Sequence, residues 1–211
     1  MPLVYQQNIN ESTRLGLWHI AEKEDFFLNQ VPLKKEITHP HKRLQHLAGR
    51  FLLRELFTDF PLELIQIADT RKPYLADEAY HFSISHCDDY AAAIVSNVNR
   101  VGVDVERVSE KVQKISHKFL TEKEKTMIER TATESGLTIL QSVGFAWSIK
   151  ETLFKWYSLG GVDFRENLLI DQLQFSTNEC TAHCRVAFDQ VASLKVHGLI
   201  FNDNILTWTA S

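Results

Sequence analysis

The stretch Phe145–Tyr157 constrains the fold most strongly, because as a helix it is apolar around most of its circumference. At about 100° per residue, one apolar arc and a second, shorter arc of Trp147 and Phe154 cover most of its surface. The first arc consists of Phe145, Ile149, Leu153, Trp156 and Tyr157. Among these apolar residues lie the charges of Lys150, Glu151 and Lys155, which require a partner, a ligand or a metal if the helix is buried. The alternative is an amphipathic helix with an ordinary Glu–Lys pair.

The composition is that of a globular chain and disfavours several other classes of protein. Of the 211 residues, 44% are hydrophobic, which is enough for a full core. A net charge of −4 argues against a general nucleic-acid binder, and no apolar run approaches the roughly 18 residues of a membrane span. The first ten residues lack the features of a signal peptide, and the three cysteines are an odd number. We therefore expect a cytoplasmic protein with reduced thiols.

Strand and helix patterns divide the chain into two halves with the same kinds of elements. In the first half, strand patterns at 3–9, 15–20, 81–85 and 90–96 flank a helix at 41–57. In the second, a strand at 101–105 precedes a helix at 121–130, a loop at 131–138, the helix at 145–157, and strands at 168–175, 181–188, 194–201 and 205–209. The patterns predict an α+β fold of two similar halves, residues 1–100 and 101–211, each an antiparallel sheet packed with helices.

Two polar patterns stand out against this background. Arg43, His46, Arg50 and Arg54 form a cationic row on the helix at 41–57, which either is solvated or binds phosphates. In V-G-V-D-V-E at 101–106, Gly102, Asp104 and Glu106 share one face of a strand, and the two acids are a step of about 6.6–6.8 Å apart. Two acids without His or Cys suit a hard cation such as Mg²⁺ shared with substrate phosphates, although ordinary polar-face acids give the same pattern.

Four motifs in a fixed order carry a resemblance to a known family. They are R-K-P at 71–73, F-S-I-S-H at 82–86, G-V-D-V-E at 102–106 and W-S-I-K-E-x-x-x-K at 147–155. With them the chain resembles the 4′-phosphopantetheinyl transferases, and within that family the surfactin-synthetase-activating (Sfp) type, in which one chain holds two similar halves. The resemblance implies a Mg²⁺-dependent, monomeric enzyme with its active site in the cleft between the halves. Such an enzyme transfers the 4′-phosphopantetheine group of coenzyme A to a serine of an apo acyl or peptidyl carrier protein and releases adenosine 3′,5′-bisphosphate.

The resemblance also implies roles for individual residues. Asp104, Glu106 and Glu151 would bind Mg²⁺, or Mn²⁺ in its place, and Glu151 would alternatively or additionally be the general base. Lys155 would hold the diphosphate, and Lys150 would either assist it or only brace Glu151. The other coenzyme-binding positions, on the nucleotide side in the first half, are Arg43, Arg50, Lys72, Pro73, Ser85 and His86.

The segment 107–125 is the expected docking site for the carrier protein. It has six Lys or Arg residues against three Glu, a net charge of +3, and carrier proteins of this family are acidic. Phe119 or Leu120 is expected to be exposed there as an apolar anchor, and Thr121 with Glu124 forms a capping-box pattern. The alternative is a solvated lysine-rich helix.

Some features depart from the family or carry no role. Arg71 stands where the family usually has glycine, and the basic residues that clamp the 3′-phosphate in relatives cannot be aligned to Lys34, Lys35 or Lys42. Cys180, His183 and Cys184 are attributed to packing, since their spacing on a strand is not that of a zinc site. Two rival functions are a non-catalytic coenzyme A or nucleotide-binding module of the same fold and a carrier-protein-binding adaptor that uses 107–125.

Overall fold

A computed structural model of the chain describes residues 2–33 and 36–211. The chain divides into two compact units, Met1–Val103 and Asp104–Ser211. Each unit has an antiparallel sheet with helices packed against it, so the predicted α+β class is confirmed. Among the helices of the described residues, none has the length and hydropathy that a membrane crossing requires.

The first unit is a four-stranded sheet covered by one long helix. Its elements are β1 (Leu3–Asn10), β2 (Thr13–His19), α1 (Glu24–Leu28), α2 (Pro40–Leu56), β3 (Gln66–Ile67), β4 (Pro73–Tyr74), β5 (His81–Cys87) and β6 (Tyr90–Ser96), with a 3₁₀ turn at Leu62–Leu64. The sheet has the order β1-β2-β6-β5, and β3 and β4 form a separate small hairpin. Leu47, Phe51 and Leu52 of α2 are buried in the core of this unit, as their helical spacing predicts.

Helix α2 begins and packs as its sequence dictates. It starts at Pro40 because proline fits the first helical position, and the His39 ring accepts the Lys42 N–H at 3.4 Å. Gly49 allows α2 to lie close to the sheet, since a Cβ at that position would be 2.6 Å from Ile84 Cγ2 of β5. This close approach fixes the height of α2 above β5, from which the motif residues Ser85 and His86 project.

The second unit is a five-stranded sheet with helices α5 and α6 packed on it. Its elements are β7 (Val101–Arg107), which crosses the boundary between the units, α3 (Glu110–Lys114), α4 (Ser116–Phe119), α5 (Glu122–Ser135), α6 (Ile139–Tyr157), β8 (Leu168–Ser176), β9 (Glu179–Ala187), β10 (Val191–Phe201) and β11 (Asn204–Ala210). The strand order is β7-β11-β10-β9-β8. The strand β7, which carries Asp104 and Glu106, is therefore at one edge of the sheet, beside β11.

Helix α6 is packed on two sides, as its two apolar arcs predict. Phe145, Ile149 and Leu153 of the first arc are completely buried in the core. On the second arc, the rings of Trp147 and Phe154 lie 5.6 and 5.4 Å from the ring of Phe164. The charged residues of α6 are thus held on a helix that has little freedom to move.

The predicted loop at 131–138 is wrong over its first five residues, because α5 continues to Ser135. Gly136, in the left-handed conformation at φ 75°, ends α5. Helix α6 then starts at Ile139 behind a second capping box, in which Thr138 and Gln141 bond each other's backbone N–H. The pattern T-x-x-Q at 138–141 was the available signal for this start.

Candidate active site

Asp104 is the most constrained of the predicted acids. Its side chain is only 5% exposed, and Lys155 Nζ donates to its Oδ1 at 2.8 Å. Ser148 Oγ donates to its other oxygen, Oδ2, at 2.9 Å. The donors Ser148 and Lys155 are seven residues apart on α6, which places both on the face that meets β7. The structure therefore joins the strand motif and the helix motif at one carboxylate.

Glu106 and Glu151 lie close enough to Asp104 for its charge to affect their pKa values. The pKa of Glu151 is raised to about 7, mainly by burial and then by the charge of Asp104, with a smaller contribution from Glu106. The charge of Lys155 opposes this rise in part. Burial and the Asp104 charge also raise the pKa of Glu106, while hydrogen bonds from the Arg107 N–H and the Trp147 side chain lower it. The half-buried Glu151 can thus exchange a proton near neutral pH.

The three acids fit a hard divalent cation by their chemistry. All offer carboxylate oxygens, and their mutual repulsion is one of the causes of the raised pKa values of Glu106 and Glu151. A cation bound near them would lower that repulsion, a role that Lys155 partly fills at Asp104. Within residues 2–33 and 36–211, no group of three His, Cys, Asp or Glu side chains has the arrangement of a metal site.

Lys150 is separate from these acids. It follows Ser148 by two residues, about 200° around the helix, so it lies on the opposite side of α6. Its ammonium is completely buried and donates to Glu124, at 2.9–3.0 Å, and to the Phe164 carbonyl at 2.9 Å. Lys150 therefore has no exposed surface to offer a phosphate, and in this structure its counter-charge is Glu124 and not Glu151.

Glu124 joins several segments at this buried pair. It accepts the Thr121 N–H at 2.8 Å, which completes the predicted capping box at the start of α5. Its other oxygen accepts the Ile170 N–H of β8 at 2.9 Å. The pair with Lys150 consequently ties α5, α6 and β8 together, and it satisfies the requirement that a buried lysine be paired.

The first unit contains a cavity of about 630 Å³ lined by several cations. Its lining consists of Pro32, Ile37, His46, Arg50, Leu62, Ile65, Ile67, Arg71, Pro73, Ile84 and His86. Three of the predicted coenzyme-binding residues, Arg50, Pro73 and His86, are therefore in one place. Burial alone lowers the pKa of Arg50 to about 10, and an anion in the cavity would offset this cost of burial.

The cationic row on α2 has two different roles. His46 and Arg50, whose side chains contact each other at 3.0 Å, face the cavity. Arg43 forms a two-bond ion pair with Glu24, at 2.7 and 2.8 Å, and Arg54 pairs with Glu63 at 3.0 Å. Arg43, which was predicted to contact the coenzyme, is therefore not among the residues that line the cavity, and its guanidinium is paired with Glu24.

The remaining predicted positions of the first unit lie beside the cavity. Lys72 and the buried Ser85 are adjacent in sequence to the lining residues Pro73 and His86, but they are not part of the lining that the described residues form. Burial, with a smaller effect of Arg100, lowers the pKa of Lys72 to about 8. Lys34 and Lys35 lie outside the described residues.

Arg71 adopts the backbone conformation that its family position usually gives to glycine. Its φ is 66°, in the left-handed region, and its N–H donates to the Ala68 carbonyl at 2.8 Å. The turn before β4 is therefore formed in spite of the substitution, and an additional cation lines the cavity as a result.

The segment 107–125 has the predicted surface charge without the predicted apolar anchor. All six of its Lys and Arg side chains are exposed or half-buried, whereas Glu124 is buried against Lys150. The net charge at the surface of this segment is therefore more positive than the +3 counted from its sequence. The expectation that Phe119 or Leu120 is exposed is wrong, since both are 1% exposed and Phe119 packs on Trp147 at 4.9 Å. Ile115 is the large apolar side chain exposed there, at 37%.

Other sequence signals have structural roles. Cys180 and Cys184 face the core from β9, where burial raises the pKa of both thiols, as expected for packing residues. The sequence alone does not indicate a site role for Ser148, Thr207 or the second contact of Glu124, and it indicates His46 only as part of the cationic row. The spacing of Ser148 from Glu151 and Lys155, at three and seven residues, was the signal for Ser148, while the partners of Thr207 and Glu124 are distant in the chain.

Comparison with known families gives a match over the second half of the chain. The family model of the 4′-phosphopantetheinyl transferase superfamily matches residues 100–207. That range contains Asp104, Glu106, Ser148, Glu151 and Lys155, and it leaves out the cavity of the first unit. A comparison with curated proteins found no match.

Lys150→Met tests the structural role of the buried pair. It leaves the Glu124 carboxylate without its counter-charge, so the free energy of unfolding should fall by about 3–5 kcal/mol. The double variant Lys150→Met/Glu124→Gln should recover only part of this loss, because glutamine removes the buried charge but has one acceptor oxygen where Glu124 accepts N–H groups with both. Urea unfolding of the single and double variants measures both effects. A single variant as stable as the unmodified chain would contradict this role of the pair.

Proposed function

The chain belongs to the 4′-phosphopantetheinyl transferase superfamily, and on this premise we propose that it transfers 4′-phosphopantetheine from coenzyme A to a serine of an apo acyl or peptidyl carrier protein. The second product is adenosine 3′,5′-bisphosphate. The division into two units, each with a sheet and a long helix, supports the surfactin-synthetase-activating type. The observation that carries the proposal is the meeting of Asp104, Glu106, Glu151 and Lys155 on β7 and α6.

The acids of this group match the chemistry of the reaction. A divalent cation, Mg²⁺ or Mn²⁺, held by Asp104, Glu106 and Glu151 would stabilise negative charge on the coenzyme A diphosphate. A second role for Glu151 is to accept the proton of the serine hydroxyl. Its pKa of about 7 applies to the site without a cation, and a cation bound to its carboxylate would lower that pKa. The serine oxygen forms a bond to the β-phosphorus while the bond to the bridging oxygen breaks, and that oxygen leaves with adenosine 3′,5′-bisphosphate.

Lys155 provides the positive charge that this displacement requires from the protein. Its side chain is 23% exposed while its ammonium contacts Asp104 Oδ1, so it combines a fixed position with access to a ligand. It neutralises charge that accumulates on the leaving phosphate. Because Glu151 precedes it by one helical turn, base and cation lie on the same side of α6.

The cavity of the first unit is proposed as the site of the nucleotide end of coenzyme A. A volume of about 630 Å³ lies within the range of small-molecule sites. Arg50, Arg71, His46 and His86 in its lining suit phosphate groups, and Ile65, Ile67 and Pro73 give the apolar surface that a purine ring needs. Pro73, Arg50 and His86 retain in this way the roles that the resemblance implies.

Residues 107–125 are proposed as the surface that receives an acidic carrier protein. Exposed Lys111, Lys114 and Lys118 attract it, and Ile115, which lies among them, offers the apolar contact. This segment ends in the first turn of α5, which is bound to α6 through Glu124 and Lys150. Earlier in the segment, Phe119 packs on Trp147 of α6. The docking surface is consequently fixed with respect to the helix that carries Glu151.

Glu151→Gln and Asp104→Asn test catalysis. Loss of a general base reduces transfer by roughly 10²–10⁴-fold, so Glu151→Gln should be nearly inactive when acceptor mass is followed in time. Asp104→Asn should be similarly impaired. Near-normal rates in either variant would contradict the assignment, and carrier binding without any transfer by the unmodified chain would favour the adaptor.

Stability provides the control for Glu151→Gln. The pKa of Glu151, about 7, lies above the roughly 4.3 of an unfolded glutamate, so ionisation of Glu151 costs stability as pH rises through this interval. In metal-free buffer, the glutamine variant should therefore become the more stable of the two proteins between pH 5 and pH 8. If the glutamine variant were less stable than the unmodified chain at pH 8, unfolding would explain its inactivity in place of the lost base.

Arg50→Ala tests the cavity, with Arg54→Ala as its matched control on the next turn of α2. Loss of a charge-assisted hydrogen bond, about 1.5–3 kcal/mol, should raise the KM for coenzyme A by roughly 10–100-fold. Arg54 pairs with Glu63 and the Gln30 carbonyl, so its removal should leave this KM unchanged. Equal KM values for the two variants would place the nucleotide elsewhere.

Charge reversal at Lys111 and Lys118 tests the docking surface. The double variant Lys111→Glu/Lys118→Glu should raise the KM for the carrier protein several-fold, leave the KM for coenzyme A unchanged and reduce the salt dependence of the carrier KM. Lys195→Glu, an exposed lysine on β10, is the control. A carrier KM that changes equally in the control would refute this surface.

A further inference from the structure

Three hydroxyl side chains form a buried row behind Asp104. Ser148 and Thr152 of α6 and Thr207 of β11 are all completely buried. Ser148 Oγ lies 2.9 Å from Asp104 Oδ2 and 2.9 Å from Thr207 Oγ1. Thr152 Oγ1 lies 2.6 Å from Thr207 Oγ1. The row therefore connects the inner oxygen of the carboxylate to the strand next to β7.

The protons in this row point towards Asp104. Each hydroxyl has one proton, and an ionised carboxylate can only accept, so Ser148 donates to Asp104 Oδ2. Thr207 then donates to Ser148, either to its Oγ or to its carbonyl, both at 2.9 Å. Thr152 donates in turn to Thr207, to Oγ1 or to the carbonyl at 3.2 Å. Where Thr207 donates to the Ser148 hydroxyl, the hydrogen bonds of the row polarise one another, which strengthens the last one, on the carboxylate. Where it donates to the Ser148 carbonyl, the row supports Ser148 through its backbone.

The two oxygens of Asp104 have different partners. Oδ2 is turned inward and held by Ser148, whereas Oδ1 faces the ammonium of Lys155. Without the Ser148 hydroxyl, nothing in the row would keep the plane of the carboxylate in this orientation. Apolar residues of the same size would fill these positions without the need for buried hydrogen bonds, so the hydroxyls suit orientation of the carboxylate better than packing alone.

We propose that Ser148, supported by Thr207 and Thr152, is a positioning residue that orients Asp104 so that Oδ1 is presented to the divalent cation and to Lys155. The inference rests on the proposed function, in which Asp104 is a metal ligand. Ser148 itself does not contact substrate. Loss of such an outer contact typically weakens metal affinity by about 10–100-fold, which sets the size of the expected effect.

The test uses Thr207, whose shape and hydroxyl can be changed separately. Thr207→Val keeps the shape and removes the hydroxyl, whereas Thr207→Ser keeps the hydroxyl and removes a methyl group. Thr209→Val is the matched control, since Thr209 is also buried on β11 but donates to the Lys195 carbonyl, outside the row. Direct binding of Mn²⁺ by electron paramagnetic resonance, the Mg²⁺ concentration for half-maximal transfer, and urea unfolding are measured for each protein.

We expect Ser148→Ala to weaken Mn²⁺ binding by roughly tenfold or more, and Thr207→Val to weaken it by a smaller factor with little loss of stability. Thr207→Ser should lose stability and keep its Mn²⁺ affinity, and Thr209→Val should keep that affinity too. Two results would overturn the positioning role. One is a Mn²⁺ affinity that falls in proportion to unfolding stability across these variants. The other is a Mn²⁺ affinity in Ser148→Ala and Thr207→Val equal to that of the Thr209→Val control. Absence of Mn²⁺ binding by the unmodified chain would instead overturn the metal site of the proposed function.

Discussion

Repulsion among three partly buried carboxylates is the constraint around which the second unit is arranged. Asp104 and Glu106 project from β7 and Glu151 from α6. Burial, and after it the charges of neighbouring acids, raises the pKa values of Glu106 and Glu151. Lys155 and the Ser148 hydroxyl stabilise the most buried of the three, Asp104. A ligand that brings a cation between these acids gains from the remaining repulsion, whereas the protein alone cannot remove it. The group is therefore better suited to binding than to stability, as expected for functional sites.

Helix α6 separates three kinds of polar contact by its geometry. Ser148 and Thr152 face Thr207 of β11, and Ser148 also donates to Asp104. Lys155, one turn after Glu151, donates to the other oxygen of Asp104. Lys150 lies on the opposite side and binds Glu124. Each contact would be costly on a helix that could shift, because every one depends on distances near 3 Å. The aromatic packing of Trp147 and Phe154 on Phe164 prevents such a shift. The apolar arcs and the charges among them are thus parts of one arrangement.

Local sequence patterns predicted most of the helices and strands and the faces on which the candidate site residues lie, but they did not predict contacts between residues distant in the chain. Alternation gave the strands of both sheets, and the two-residue step of Asp104 and Glu106 placed them on one face, because both depend on neighbours in the chain. The need of Lys150 for a partner was also predictable, but its identity was not, since Glu124 is 26 residues away and already had a capping role. Phe119 and Leu120 could not be assigned to the core from a segment in which charges alternate with apolar residues. The pairing of Arg43 with Glu24 depends on how α1 packs on α2, so the sequence alone does not predict it.

Intact-mass measurement of an apo carrier protein shows whether the chain transfers phosphopantetheine. The carrier protein is incubated with the unmodified chain, coenzyme A and Mg²⁺, and then with EDTA in place of Mg²⁺. We expect the carrier to gain the mass of one phosphopantetheine group on its acceptor serine with Mg²⁺ and not with EDTA, because in the proposed mechanism a divalent cation holds the diphosphate. Bound coenzyme A together with an unchanged carrier mass, across a panel of acyl and peptidyl carriers, would contradict it.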